Sequence, residues 1–242
     1  MQGFELKAGA RKIMQDNAPK IFFVGIVFIV ISTVMSELQF RMPGITDAYD
    51  RFLDQVNSGE LPGLRLLCAN FRPVGAVLAA VLALLRPIVE VGYLSYCLKL
   101  TRSRGGDYKD ILDGFLFFGK AILIFVITSV LCALWSLLLI FPGIVAYYRY
   151  RQAYYILLDA PEKSAMQCIR ESKQLMAGNK LDLFLIDLSF IGWYILDTLV
   201  IIIILLLIPV PVALPLVSIW LTPYKGLTLA AYYSKLESRI LV

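Results

Sequence analysis

Residues 115–143 read FLFFGKAILIFVITSVLCALWSLLLIFPG, and this stretch decides the class of protein. From Phe115 to Phe141 it carries a single charged side chain, Lys120, and it ends at the helix-breaking pair Pro142-Gly143. About 20 mostly apolar residues are enough for an α-helix to cross the hydrocarbon core of a bilayer. The stretch therefore predicts a transmembrane helix that is followed by a tight turn.

The composition of the whole chain supports this interpretation. Of its 242 residues, 59% are hydrophobic and 17% are charged, whereas a soluble domain has roughly 25% charged residues. The chain therefore has too little polar material to cover the surface of a water-soluble protein. The same apolar content excludes a disordered chain. We expect an all-α integral membrane protein that has the lipid bilayer as its solvent.

Several chemical functions are excluded by residue type. The chain has no histidine, which removes Ser-His-Asp and histidine-based zinc chemistry. The four cysteines lie far apart and form no C-x-x-C pair. The net charge of +5 comes from Lys and Arg at the ends of apolar runs, which is typical of membrane orientation rather than nucleic-acid binding. We therefore predict no catalytic site, no metal, no cofactor and no nucleic-acid partner.

Six apolar runs predict a single polytopic membrane domain over residues 1–242, arranged as three helical hairpins. Lys and Arg gather before, between and after these hairpins, whereas the charges of the outer loop 41–72 are balanced and the proline turns 141–143 and 209–211 carry none. By the positive-inside rule both termini are cytoplasmic. The predicted spans are 21–38, 73–98, 115–141, 144–158, 181–208 and 212–233.

Short cytoplasmic amphipathic helices are predicted between the hairpins, and the best defined is the segment 161–178. One of its faces is apolar, while Arg170, Glu171 and Lys173 lie opposite. Such a helix lies along the inner membrane surface or docks on a partner protein. The apolar face consists of Ala165, Ile169, Leu175 and Met176.

Charged residues inside the predicted spans form the candidate site. In the second span a helix-packing stripe of Gly75, Ala79 and Ala83 continues into Arg86 and Glu90, so both charges are expected to face protein and to pair. By depth, Arg149 is expected to meet Asp197, and Arg151 is expected to meet Glu90 or Asp187. Such a network either fixes helix register through neutralised pairs or forms a polar path.

An ordered series of motifs in the second half of the chain is similar to a known family. Residues 134–144 read LWSLLLIFPGI, residues 175–180 read LMAGNK and residues 188–193 read LSFIGW. With the opening Glu5-Leu6-Lys7, they resemble the domain-of-unknown-function 975 family of bacterial, mainly Firmicutes, integral membrane proteins. The resemblance implies a multi-pass protein of the bacterial cell membrane, and it implies no activity.

Two functions follow from these observations. The first is a non-enzymatic scaffold or accessory subunit that contacts a membrane-protein partner or a second copy of itself. The alternative is a small transporter or channel whose polar path is lined by the charged residues of the spans. An enzyme is not expected, because no nucleophile–base pair or metal cluster is available. The path residues would be Arg86, Glu90, Arg149, Arg151, Asp187 and Asp197.

Overall fold

A computed structural model describes residues 2–40, 54, 56–58, 73–207 and 216–240. Across these residues the chain is helical and contains no strand, which confirms the all-α prediction. Most of the outer loop 41–72 and the turn 209–211 lie outside the described residues. A short 3₁₀ helix, Tyr108–Leu112, accompanies the α-helices. The α-helices are α1 (Gln2–Asp16), α2 (Lys20–Phe40), α3 (Pro73–Thr101), α4 (Asp113–Leu116), α5 (Phe118–Leu138), α6 (Ile140–Tyr150), α7 (Ala153–Asp159), α8 (Ala165–Leu175), α9 (Lys180–Leu188), α10 (Ile191–Leu207) and α11 (Leu216–Ile240).

Four helical stretches are long and apolar enough to cross a membrane: Lys20–Gln39, Val77–Thr101, Phe118–Leu138 and Lys180–Ile204. Little of each stretch is buried inside the protein, so most of its apolar surface faces outward. A soluble protein would not leave apolar surface of this extent in water. The four stretches are therefore consistent with a membrane protein, while the six spans and their hairpin arrangement stay a prediction.

The turn after α5 lies three residues earlier than the proline pattern predicts. Leu139 is extended (φ −164°, ψ 150°) and separates α5 from α6. Pro142 follows inside the first turn of α6, where a residue without an N–H group loses no helical hydrogen bond. An ideal Cβ on Gly143 would lie 2.0 Å from Ser136 Oγ. The two helices therefore meet closely at a glycine.

Two predicted spans are interrupted in the structure. The predicted helix 144–158 is divided into α6 and α7 by Arg151 and Gln152. Neither part is long enough to cross a bilayer alone. The predicted span 181–208 is divided into α9 and α10 at Ser189 and Phe190, although Lys180–Ile204 retains membrane-spanning length as a whole.

Residue contacts divide the described chain into two units, so the single domain over residues 1–242 stays a prediction. The larger unit comprises Met1–Ile29 and Ile88–Val242, and the smaller comprises Val30–Pro87. The core of the larger unit is rich in aromatic side chains, including Tyr96, Phe190 and Tyr224. In the smaller unit Ala79 is buried and Ala83 is half-buried, while Gly75 lies in the first turn of α3.

The segment 108–116 rests directly on the backbone of α3. Ideal Cβ atoms on Gly92 and Gly114 would lie 1.9 Å from the carbonyl oxygens of Ile111 and Ile88, respectively. Only glycine at both positions allows the 3₁₀ helix and α4 to approach α3 this closely. The hydroxyl of Ser95 also donates to Asp113 at 2.7 Å. Backbone contact and polar bonds together hold this segment in place.

The N-terminal helix α1 docks on α11 and α9 through two cations. The guanidinium of Arg11 lies 5.4 Å from the ring centroid of Tyr224 and donates to the Tyr224 hydroxyl at 3.2 Å. The ammonium of Lys7 lies 4.3 Å from the ring centroid of Phe190 and contacts Ser189. Cation–π contacts of this kind stabilise the packing of a basic helix on an aromatic surface. Partial burial lowers the pKa of Lys7.

Candidate functional site

Two of the predicted charges meet on α9. Asp187 forms an ion pair with Arg151, which lies at the break between α6 and α7. The hydroxyl of Tyr148 donates to the same carboxylate at 3.1 Å. Lys225 of α11 places its Nζ 3.6 Å from the other carboxylate oxygen. We call these four residues the Asp187 cluster; it joins three separate parts of the chain through one acidic side chain.

Aromatic rings surround the cations of the Asp187 cluster. The guanidinium of Arg151 lies 5.3 Å from the ring centroid of Tyr147 and 5.9 Å from that of Tyr148. Both distances are within the range of cation–π contacts. Lys225 Nζ lies 5.0 Å from the ring centroid of Tyr194 and donates to its hydroxyl at 3.0 Å. Rings and carboxylate together compensate the two positive charges.

Burial determines what the Asp187 cluster contributes. The side chains of Arg151 and Asp187 are 17% and 14% exposed, so the pair is not a solvated surface pair of negligible strength. Removal of charges from water is costly, and only mutual attraction and further hydrogen bonds offset that cost. Here the carboxylate of Asp187 forms ion pairs with Arg151 and Lys225 and accepts a hydrogen bond from the hydroxyl of Tyr148. The geometry therefore stabilises one relative placement of α6, α9 and α11.

Asp197 is satisfied in a different way from the one predicted. It is buried, and its carboxylate accepts the backbone N–H of Val217 at 3.0 Å and the hydroxyl of Ser218 at 2.5 Å. Both donors lie in the first turn of α11, where N–H groups have no partner within the helix and a negative charge is favoured. Among the ion pairs of the described residues, the expected pair with Arg149 does not occur. The carbonyl of Arg149 instead accepts the hydroxyl of Ser172 at 2.9 Å.

Arg86 and Glu90 are exposed on α3, which differs from the expectation that both face protein. Glu90 interacts electrostatically with Tyr154 and Tyr155 of α7. Along the small-residue stripe, Ala79 is buried and Ala83 is half-buried, whereas the two charged residues that continue it are exposed. The helical period places Arg86 and Glu90 on the same face of α3 as Ala79. It does not predict which residues of that face are covered by other parts of the protein.

The apolar face of the segment 161–178 is not a free surface. All four residues of the predicted membrane or partner face (Ala165, Ile169, Leu175 and Met176) are buried in the core. The reason is that α8 packs against α5, α6 and α7, which cover this face inside the same chain. The helix begins at Ala165, where a capping box of Ser164 and Gln167 binds the end groups. Gly178, with φ +79°, follows its end.

A second polar cluster, which sequence reasoning missed, lies near the end of α3. The guanidinium of Arg102 binds Asp159 through two nitrogens, at 2.5 and 2.8 Å, and binds Glu237 at 2.5 Å. The hydroxyl of Tyr233 donates to Asp159 at 2.7 Å. The hydrogen bond with Asp159 raises the pKa of Arg102. Burial, followed by the nearby charge of Asp159, raises the pKa of Glu237. This Arg102 cluster joins α3, α7 and α11.

The Arg102 cluster yields a prediction on stability. Arg102→Lys is expected to lower the free energy of unfolding by about 1–2 kcal/mol, because an ammonium cannot bind Asp159 through two parallel bonds and Glu237 at once. Denaturant titration of the purified protein in detergent measures the change. The control is Arg170→Lys, an exposed position on α8, which should change stability by less than about 0.5 kcal/mol. Equal losses in both variants would contradict the role of the cluster.

Comparison with known proteins identifies a family but no activity. No curated protein and no solved structure matches the chain significantly. Residues 137–240, from the end of α5 through α11, match the model of a family described as a protein of unknown function, DUF975. The matched segment contains Arg151, Asp187, Asp197 and Lys225, so it includes the Asp187 cluster. Over residues 137–240 the chain therefore matches the DUF975 family, which supports the resemblance that the motifs of its second half predict.

Proposed function

We propose that the chain is a non-enzymatic scaffold or accessory subunit of the bacterial cell membrane, with both termini in the cytoplasm. One observation carries the proposal: acidic side chains within the apolar helices are held by groups of the same fold. Asp187 binds Arg151, Tyr148 and Lys225, and Asp197 binds the first turn of α11. Ionised groups that are satisfied in this way determine helix register rather than solvate a passing ion.

The six residues of the predicted path also lie in different environments. Arg151 and Asp187 share one cluster, Arg149 is half-buried on α6, Asp197 caps α11, and Arg86 and Glu90 are exposed on α3. None of the six residues lines the open clefts of ≈ 530 and ≈ 470 Å³ that the described residues form. A conduction path needs polar groups that border the same opening. This separation favours the scaffold.

The exposed charge on α3 supports a partner within the membrane. Arg86 is the tenth residue of the 25-residue apolar stretch Val77–Thr101, and it is exposed. An Arg near the middle of a spanning helix is costly in lipid unless another protein group covers it. We propose that an acidic group of a partner, either a membrane protein or a second copy of this chain, lies against Arg86.

A flux measurement tests the proposal. The purified chain, reconstituted in vesicles that carry a membrane potential, is expected to give the same K⁺, Na⁺ and H⁺ leak as protein-free vesicles. Glu90→Gln and Asp197→Asn should leave that leak unchanged, because neither residue lines a path. A selective flux that Asp197→Asn abolishes while the protein remains folded would contradict the scaffold. Folding is monitored by the thermal midpoint of the same samples.

A native mass measurement after gentle extraction tests the partner. We expect an oligomer or a complex with another membrane protein, which Arg86→Leu weakens and Arg86→Lys retains. The Lys variant preserves the positive charge, so it separates loss of charge from a change of shape. A monomer without any bound protein would contradict this part of the proposal.

The second candidate, a small transporter or channel, is favoured by one observation. Seven buried polar side-chain atoms have no hydrogen-bond partner among the described residues, and four of them lie on α6, α7 and α9 or at the break between α6 and α7. Buried orphan groups are uncommon in stable folds and often mark functional sites. In a conformation that admits water these atoms would line the opening. The four atoms on α6, α7, α9 and the break between α6 and α7 are Arg149 Nε, Gln152 Oε1, Tyr155 Oη and Asp187 Oδ1.

A further inference from the structure

An open cleft of ≈ 530 Å³ lies where two apolar helices reach the same end of the protein. Lys20 is the first residue of α2, and Lys99 is two residues from the end of α3. Since both helices are of membrane-spanning length, this depth corresponds to the lipid headgroups. The cleft is lined by Lys20, Lys99, Arg104, Gly105, Gly106, Asp107 and Asp110.

Both acidic side chains of the cleft are already engaged. Asp107 accepts the backbone N–H of Tyr108 at 2.8 Å and caps the 3₁₀ helix. Asp110 accepts the ammonium of Lys99 at 2.6 Å and the backbone N–H of Asp107 at 2.7 Å. Lys99 is engaged as well, since it also binds Asp113 at 2.7 Å. The ion pairs of this region belong to Lys99, and neither Asp107 nor Asp110 forms one with Lys20 or Arg104.

Two cations remain available to a ligand. Lys20 and Arg104 are both exposed, and neither forms an ion pair within the part of the chain that the structure describes. Glu237 experiences the charge of Arg104, but its carboxylate binds Arg102. The lining of the cleft thus has three cations and two carboxylates, a net charge of +1, and its two cations without an ion pair border one opening, which is the arrangement that an anionic group requires.

The turn that carries Arg104 is held by its glycines. Gly105 has φ +71°, a left-handed conformation that glycine adopts without strain. An ideal Cβ on Gly106 would lie 2.6 Å from Tyr96 Cε2 and 3.0 Å from Leu100 Cδ2. Because the backbone of this turn packs directly on α3, Arg104 stays at the rim of the cleft.

Exposed apolar side chains adjoin the cations. The rings of Phe23 and Tyr108 contact edge to face, with centroids 5.4 Å apart, and are 55% and 45% exposed. Leu112 and Phe115 continue the apolar surface along the next turns and are also exposed. A phosphate group and an acyl chain, joined in one molecule, match cations that stand beside an apolar surface.

We propose that this cleft binds an anionic phospholipid, with its phosphate between Lys20 and Arg104 and an acyl chain along Phe23 and Tyr108. The chemistry shared with soluble ligands is the phosphate; the apolar surface at the depth of the membrane interface selects the lipid. Lys20 is a point charge, whereas the planar guanidinium of Arg104 binds two phosphate oxygens at once. A zwitterionic lipid binds more weakly, because its own ammonium opposes both cations.

Native mass spectrometry of the full chain in detergent tests the site. Phosphatidylglycerol is titrated against phosphatidylcholine, and we expect a clear preference for phosphatidylglycerol. The double variant Lys20→Gln/Arg104→Gln should lower the affinity for phosphatidylglycerol about 25-fold, since each cation near an anionic lipid contributes roughly a factor of five. The variant Lys20→Arg/Arg104→Lys keeps both positive charges and should retain most of the affinity for phosphatidylglycerol.

The matched control is Arg170→Gln/Lys173→Gln, which removes two exposed cations of α8 and changes the net charge equally. We expect it to retain the affinity for phosphatidylglycerol within about twofold. Equal losses in the two double variants would overturn the site in favour of general surface charge, and retention in both would overturn it as well. Inorganic phosphate and glycerol phosphate are the soluble probes. If either binds as tightly as phosphatidylglycerol, the lipid assignment is overturned.

Discussion

Gly114→Ala is expected to lower the free energy of unfolding by about 3 kcal/mol, the upper part of the range for overpacking a well-packed site. The new methyl group would lie 1.9 Å from the carbonyl oxygen of Ile88, and a backbone atom cannot rotate away. The segment 108–116 must then move off α3. That movement also lengthens the bonds from Asp113 to Ser95 and Lys99, both of which are 2.7 Å.

Denaturant titration in mixed micelles measures this effect, and Gly119→Ala is its control. Gly119 lies five residues later in α5, and an added Cβ there meets nothing within 4 Å. Alanine is a better helix former than glycine, so the control should keep the stability or raise it by up to about 1 kcal/mol. Equal destabilisation of the two variants would refute the close contact between α3 and α4.

Asp187→Asn is expected to lower the free energy of unfolding by about 3–5 kcal/mol, because it leaves Arg151 and Lys225 in the fold without a carboxylate. Most of that loss comes from uncompensated positive charge rather than from the missing hydrogen bonds. The amide oxygen of asparagine can still accept the hydroxyl of Tyr148, so shape and one polar contact are conserved.

The Asp187 measurement uses two comparisons. Asp182→Asn, an exposed acid on the same helix, should change stability by less than about 0.5 kcal/mol. The double variant Asp187→Asn/Arg151→Gln should lose less than the sum of the single losses, since it removes both members of a pair. Additive losses would exclude coupling between Asp187 and Arg151.

The sequence predicts the all-α class and the four membrane-length apolar helices well, because length and hydropathy are local properties. It predicts the interruptions poorly. Pro142-Gly143 marks the end of an apolar run, yet Pro142 lies in the first turn of α6 and the chain turns at Leu139. Since proline is tolerated in the first turn of a helix, its position alone leaves the turn uncertain by several residues.

The sequence predicts an ion pair of the candidate site where the depth of two charges along their helices is enough to bring them together. Depth leaves Glu90 and Asp187 as alternatives for Arg151, and the structure forms the pair with Asp187. The partner of Asp197 depends on where α11 begins, which no local pattern specifies. Lys225 lies inside the predicted span 212–233 and is not among the predicted path residues, so its contact with Asp187 was missed. The packing of α11 brings it to Asp187.

The amphipathic segment 161–178 shows a related boundary of sequence reasoning. The helical period correctly groups Ala165, Ile169, Leu175 and Met176 on one face, and that face is buried. The helical period does not predict what covers an apolar face, because a membrane, a partner protein and the rest of the chain can all supply apolar contacts. Here three helices of the same chain supply them.

The cap that Asp197 places on α11 has a consequence for how this sequence can diverge. The first turn of α11 is bound by a side chain of α10, because Val217 and Ser218 both donate to Asp197. Selection on the start of α11 therefore acts at Asp197, and the linker between the two helices can gain or lose residues without rotating the face that carries Lys225. Related chains should thus differ in the length of this linker more readily than in the acid that caps the helix.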